Sequence, residues 1–232
     1  MDKYVLIVAG GKGLRMGGDL PKQFIPMRGK PLLMHTLEAF HRWDASARII
    51  LVLPEDHQPY WNMLCKEIGC KVPHAIVKGG DTRFFSVKNG LDWLLAERRR
   101  KGEEDSGLSL VAVDDGVRPF VSPEVVEACF DKAAVTGAVI PVVPMIDSLR
   151  ETDEKGSHPV DRSRYMAVQT PQVFHLELLT KAYEQPYSSL FTDDASVVEA
   201  MGHAIDTVPG DRENIKITTP FDLLIAEAMF AR

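Results

Sequence analysis

Short apolar runs rich in β-branched residues alternate along this chain with segments of helical periodicity, and that alternation restricts the fold more than any other feature. Tyr4–Val8, Arg48–Leu53, Ala75–Val77, Leu108–Val113 and Ala138–Val143 read as strands. Between them, Pro31–His41, Trp61–Ile68, Thr82–Glu97 and Ser122–Val135 read as helices. Leu32, Leu33, Leu37 and Phe40 share one face of the first, and Phe85, Leu91 and Leu95 point inward in the third. The fourth has a clear start, with Ser122 as N-cap, Pro123 at the first helical position and Glu124 in the first turn. Strands joined through helices by short connections build a mostly parallel sheet covered on both faces. The expectation is therefore a Rossmann-like α/β fold forming a single domain over residues 1–232.

The alternation breaks between Pro144 and Tyr165. Ser148, Arg150, Glu151, Asp153, Glu154, Lys155 and Ser157 make that stretch polar, and it reads as a hairpin turning near Asp153–Ser157. A long excursion of this kind is usually functional or a contact with another chain. An isolated hairpin is marginal in water, so a β-arm at about 144–165 is expected to project and pair with a second copy. Helices resume at Leu176–Tyr183, Thr192–Met201 and Pro220–Phe230, while the charged run Arg98–Gly107 reads as a solvated loop.

The first strand opens into Ala9-Gly10-Gly11-Lys12-Gly13-Leu14-Arg15-Met16, with Lys22 following. Glycines there expose backbone N–H groups that can wrap a chain of phosphates. Two familiar phosphate loops do not fit. A dinucleotide fingerprint begun at Gly11 needs a glycine where Met16 stands, and a Walker A loop begun at Gly13 runs into Gly18-Asp19-Leu20, without its lysine and hydroxyl. Arg15 and Lys22 beside the loop still suit a nucleoside triphosphate.

Composition narrows the classes. The formal charge of −6 argues against a protein that coats nucleic acid. Cys65, Cys70 and Cys129 complete no zinc pattern and read as reduced, partly buried thiols. No apolar run is long enough to span a bilayer and no basic region precedes a long apolar segment, so a cytoplasmic protein without membrane or nucleic-acid partners is expected. In open α/β sheets ligands sit at the carboxyl ends of the strands. The loops Gly10–Lys22, Gly79–Arg83 and Asp114–Arg118, with the chain from Ser148, would there gather Arg15, Lys22, Arg83 and Arg118 with Asp81 and Asp115. Residue chemistry alone thus reaches an α/β enzyme for a nucleoside triphosphate and a second anion.

The chain resembles a known family. The loop Ala9–Met16 with Pro21-Lys22-Gln23, then Gly79-Gly80-Asp81-Thr82-Arg83 with Ser86-Val87, Asp115-Gly116-Val117-Arg118-Pro119, Asp161-Arg162, Thr170-Pro171-Gln172, Thr192-Asp193 and Asn214-Ile215-Lys216 follow in order the signature of the 2-C-methyl-D-erythritol 4-phosphate cytidylyltransferases. Asp114 departs from it where the family often has histidine, and Ser148 where threonine is common. The resemblance implies a nucleotidyltransferase domain using CTP, Mg2+ and a sugar-alcohol phosphate.

It also implies roles. Ala9, Gly10, Gly11, Gly13, Gly80, Asp81 and Ser86 would bind CTP; Arg15, Lys22, Arg162 and Lys216 would be catalytic. Asp115, Arg118, Ser148, Thr170 and Thr192 would line the acceptor site. The magnesium ion would ride mainly on the triphosphate, with Asp115 as one possible ligand, and the arm would carry Arg162 into the partner's site of a homodimer. A phosphate monoester is mostly dianionic at neutral pH, with a second pKa of about 6, and already nucleophilic, so the lack of a nucleophile–base pair is consistent with this chemistry. Two alternatives stand beside it. One is a cytidylyltransferase for another polyol phosphate such as ribitol 5-phosphate, given some support by Phe24 and Phe120. The other is a CTP-binding sensor that transfers nothing.

Overall fold

The computed structural model of this chain describes residues 1–11, 20–103 and 107–231. β1 (Asp2–Val8) is the centre of the sheet, with parallel β4 (Arg48–Leu53) on one side and parallel β6 (Ser109–Asp115) on the other. β5 (His74–Lys78) continues the parallel order beyond β4. Between β1 and β4 come two short pieces, β2 (Pro26–Met27) and β3 (Lys30–Pro31), paired with each other outside the main sheet.

Side chains alternate cleanly across β1. Val5 and Ile7 face a core formed with α1 (Leu32–Trp43), α2 (Gln58–Ile68) and α4 (Pro123–Thr136), where Leu37, Phe40, Trp61 and Phe130 are fully buried. Tyr4 and Leu6 face the other core, built with α3 (Arg83–Lys101), α5 (Leu176–Ala182) and α6 (Asp194–Glu199). Each large side chain removed from water this way contributes about 1.5–3 kcal/mol. Gly90 lets α3 lie directly on the sheet: a Cβ there would sit 2.4 Å from Leu6 Cδ1 and 3.0 Å from Val52 Cγ2. Gly90→Val is therefore expected to cost about 2 kcal/mol or more through overpacking, read as a lower urea midpoint with unchanged slope; an unchanged midpoint would contradict that close approach.

The far side of the sheet is not parallel. β7 (Ala138–Pro144) pairs antiparallel with β10 (Met166–Val168) and β11 (Gln172–His175), and parallel with β12 (Asp206–Pro209). β11 lies between β6 and β7, antiparallel to both. The expected hairpin is present as β8 (Leu149–Asp153) and β9 (Gly156–Val160), which pair only with each other among the described strands and are almost wholly exposed. α7 (Pro220–Phe230) packs beside the loop after β6 through Met27, Leu32, Val117, Ile217 and Ala226.

Two expectations fail locally. The run Arg98–Gly107 is not all loop: α3 continues to Lys101 and is stopped by Gly102 at φ 68°. Arg98 is only 5% exposed, its Nη1 donating to Tyr4 Oη at 2.6 Å and Ser109 Oγ at 2.9 Å. A long arginine stem buries readily when acceptors wait at its tip, a circumstance that charge patterning does not show. Phe85 is 40% exposed rather than inward; its neighbour Phe84 is the core residue. Among the described residues no helix is long and apolar enough to cross a membrane.

Candidate active site

Since β4 and β6 flank β1 on opposite sides, the loops leaving β1 and β6 diverge and open a crevice at the strands' carboxyl ends. Backbone bonds fix its rim. Ala9 N donates to Val52 O at 3.0 Å, Gly79 N to Leu53 O at 2.8 Å and Gly116 N to Val8 O at 3.0 Å, so the start of each of these three loops is tied to the neighbouring strand. The crevice encloses a cavity of about 500 Å3.

One wall is Ala9, Gly10 and Gly11 with Lys22 opposite. Lys22 opens a short 3₁₀ turn held from beneath. Gln23, 1% exposed, donates from Nε2 to Ala9 O at 3.0 Å, while the Phe24 ring stacks on Trp61 and meets His57 and Tyr60 edge-on. α2 is thus the footing of the lysine. The next wall is Gly80, Asp81 and Ser86, at the start of α3. Thr82 caps that helix by accepting the Phe85 N–H, and Ser86 Oγ accepts the Gly80 N–H at 3.1 Å and donates to Thr82 O at 2.9 Å. Only glycine fits at position 80, since a Cβ would lie 2.5 Å from Phe85 Cβ and 2.9 Å from its backbone carbon. The N-terminal end of a 19-residue helix therefore borders the cavity.

The third wall carries the charge cluster. Lys216 Nζ lies 2.9 Å from Asp115 Oδ2, with Arg118 Nε at 3.5 Å from the same oxygen and Arg83 Nε at 3.8 Å from Oδ1. Burial alone would push the Asp115 carboxyl up, but Lys216, Arg83 and Arg118 outweigh it and hold the group below the usual carboxylate range. Arg83 is itself oriented by Asp194, a fully buried carboxylate that accepts its Nη1 at 3.0 Å and Nη2 at 2.6 Å, and Tyr183 Oη donates to the same residue at 2.6 Å. Burial disfavours the charged guanidinium, and the paired Asp194 reverses that, raising the Arg83 pKa.

Asp114 behaves oppositely to its neighbour. It is fully buried, receives Thr170 Oγ1 at 2.5 Å on one oxygen and has no partner on the other. Burial, aided by the adjacent Asp115 charge, pushes it up to about 7, against the opposing pull of Thr170 and Arg118. Thr170 Oγ1 also accepts the Asp115 N–H at 3.2 Å, so it joins the two carboxyl residues. Asn214 ties this floor together, donating to Thr170 O at 2.7 Å and accepting Arg118 Nη1 on its carbonyl at 2.7 Å.

Of the residues singled out from sequence, Ala9, Gly10, Gly11, Lys22, Gly80, Asp81, Ser86, Asp115 and Lys216 line one cavity. Arg118 and Thr170 lie behind it, 8% and 6% exposed. Gly13 and Arg15 lie outside the described residues. Ser148, Arg162 and Thr192 do not line it, and the first two are exposed on the arm; Arg162 donates to Ile146 O at the arm's foot. Sequence places Arg83 near the anion site without a role, and gives Asp194 and Tyr183 none. Their one sequence signal is Thr192-Asp193-Asp194, whose first acid makes the capping box of α6 while the second turns into the core. No group of three metal-ligating His, Cys, Asp or Glu side chains occurs among the described residues.

The family described as 2-C-methyl-D-erythritol 4-phosphate cytidylyltransferase matches residues 4–232. A protein of that name from Bacteroides fragilis is 55% identical over 229 residues, covering 99% of this chain and 100% of its own length. One from Bacillus licheniformis is 40% identical over 99% of this chain and 96% of its own. The crystal structure of 2-C-methyl-D-erythritol 4-phosphate cytidylyltransferase from Thermus thermophilus superposes with a TM-score of 0.74 at 31% identity, covering 100% of both chains. The 4-diphosphocytidyl-2C-methyl-D-erythritol synthase of Anaerococcus prevotii gives 0.79 at 28% identity, over 100% of this chain and 96% of that one.

Proposed function

Because this chain belongs to the 2-C-methyl-D-erythritol 4-phosphate cytidylyltransferase family, we propose that the cavity beyond β1 and β6 is where its reaction takes place. The enzyme is a nucleotidyltransferase. It transfers a cytidylyl group from CTP to 2-C-methyl-D-erythritol 4-phosphate, giving 4-diphosphocytidyl-2-C-methyl-D-erythritol and pyrophosphate in isoprenoid biosynthesis. The observation that supports this location is a glycine-walled phosphate cradle with Lys22, sharing one cavity with the Lys216–Asp115 cluster.

In this reading the triphosphate rests on Ala9–Gly11, and Gly80, Asp81 and Ser86 hold the nucleoside side. Lys22 meets charge developing at the α-phosphate, joined by Arg15. Lys216 receives the acceptor's phosphate, with Asp115 keeping the ammonium in place and Arg118 and Thr170 setting Asp115 from behind. Two anions must approach for an acceptor oxygen to attack the α-phosphorus in line as pyrophosphate leaves. Fixed cations lower that barrier without a protein nucleophile. Among the described residues, Asp81 and Asp115 are the carboxylates on the cavity wall, which suits a Mg2+ ligated mainly by substrate phosphates and water. When bound, that ion neutralises triphosphate charge. Two soluble phosphorylated substrates fit a cytoplasmic enzyme.

The acceptor assignment is checked by pyrophosphate release with each nucleotide and acceptor. Release is expected from CTP with 2-C-methyl-D-erythritol 4-phosphate; preference for ribitol 5-phosphate, for UTP, or for no acceptor would contradict it.

Arg162 and Ser148 belong to the same reading through a second copy. The hairpin projects away from the sheet, and around its foot Ile146, Tyr165, Met166 and Val168 are 62%, 46%, 47% and 44% exposed. An apolar patch beside a bare hairpin is the surface a twofold partner covers, and the arm would then bring Arg162 and Ser148 to the partner's cavity. Inactive Lys22→Ala and Arg162→Ala chains, unfolded together and reassociated, should regain roughly a quarter of wild-type activity, since half of randomly paired dimers are mixed and each has one intact site. No recovery, with exchange confirmed by differently tagged chains, would place Arg162 in its own subunit's site.

A further inference from the structure

We propose that Cys65 and Cys70 are an oxidisable dithiol, a modification site that hydroperoxides convert reversibly to an intrachain disulfide. The reason is the way α2 ends. Gly69 takes the left-handed conformation at φ 74°, and both Gly69 N and Cys70 N donate to Cys65 O, at 3.0 and 2.9 Å. This is a Schellman-type stop, in which the side chains three positions inside and two beyond the helix end touch. Here those two positions are both cysteine, so the way the helix stops brings the Cys65 and Cys70 side chains together.

The surroundings favour one reactive sulfur. The neighbouring Cys65 side chain and the Val72 N–H both favour the Cys70 thiolate, as does the Lys30 ammonium, with Glu38 opposing. Burial resists the charged form, but these neighbours prevail and lower this thiol to about 6, while the adjacent Cys70 and burial raise Cys65. Both residues are partly exposed, so a small oxidant can reach them. Cys129 is the internal control: it is fully buried among α4 side chains, and burial pushes it up to about 12.

The chemistry balances with peroxide as oxidant. The Cys70 thiolate attacks one peroxide oxygen, the O–O bond breaks, and a sulfenic acid and hydroxide form, the hydroxide becoming water with the proton the Cys70 thiol released on ionising. The Cys65 sulfur then displaces hydroxide from that sulfenic acid, which leaves as water with the Cys65 proton. Two thiols and one hydrogen peroxide give one disulfide and two waters, and an added dithiol reverses the step by exchange. The site lies on the helix that supports Phe24 and Lys22, but outside the cavity.

The test uses the full-length reduced protein, treated with hydrogen peroxide at neutral pH, alkylated and cleaved with trypsin without reduction. Lys66 lies between the two cysteines and Lys71 follows the second, so the disulfide links two tryptic peptides of one chain, Glu67–Lys71 and the peptide ending at Lys66. The linked pair is expected in wild type and in Cys129→Ser, and is lost on dithiothreitol. Cys70 should be alkylated roughly 100-fold faster than Cys129 at pH 7, and Cys65→Ala should slow it. Wild-type protein in which both thiols remain alkylatable after peroxide, or in which Cys70 goes to sulfinic acid without a link, would overturn the proposal.

Discussion

Replacing Lys22 with alanine is expected to lower kcat by on the order of 10²–10³, the loss seen when one preorganised charge donor is removed. The fold is expected to survive the loss of its ammonium. The 3₁₀ turn that carries it is held by Gln23 on Ala9 and by Phe24 on Trp61, and both contacts survive the substitution. If the charge acts mainly as the bond to pyrophosphate breaks, kcat falls far more than the KM for CTP rises. Steady-state kinetics with a parallel thermal melt check both parts. Near-normal turnover, or an unfolded variant, would contradict the placement.

Asp114→Asn is expected to change how stability depends on pH. With its carboxyl at about 7 when folded, and about 3.9 when unfolded, wild-type protein holds a proton that the unfolded chain releases. The stability this group contributes is full below about pH 4 and falls by about 1.4 kcal/mol per unit as pH rises towards 7, on the order of 4 kcal/mol in all. Asparagine has the shape of the neutral acid and cannot ionise. The variant should thus gain on wild type steadily between about pH 4 and pH 7 and hold that gain above it. Thr170, Asp115 and Arg118 are the groups that face this carboxyl, and all three are present in both proteins. His35 and His74, both lowered by burial, are present in both proteins, so the difference cancels them. Urea titrations at pH 5 and pH 8 measure it, and parallel profiles would show that Asp114 ionises normally.

The parts of this structure legible in sequence are those set by local pattern. Arg48–Leu53 and Pro220–Phe230 have the bounds that periodicity predicts, and the hairpin turns where polarity places its turn. β10, β11 and β12 escape such reading because three- and four-residue strands carry no period, and because β11 is ordered by neighbours on both edges rather than by its own residues. The site divides the same way. Lys22, Gly80 and Asp115 stand on loops or at a strand end that the topology sends to one crevice, so their meeting follows from the fold class. The Arg83–Asp194 pair spans 111 residues and depends on α6 docking against α3, which no local signal states. Arg98 is illegible for the same reason: its acceptors belong to β1 and β6.

The central claim is that an anionic acceptor attacks CTP directly in a cavity of fixed cations, with no cytidylyl-enzyme formed on the way. Isotope exchange between labelled pyrophosphate and CTP tests it most directly. With Mg2+ and CTP but no acceptor, the account predicts no label in CTP, because nothing on the protein takes the cytidylyl group. Exchange without acceptor at a rate approaching turnover would contradict it.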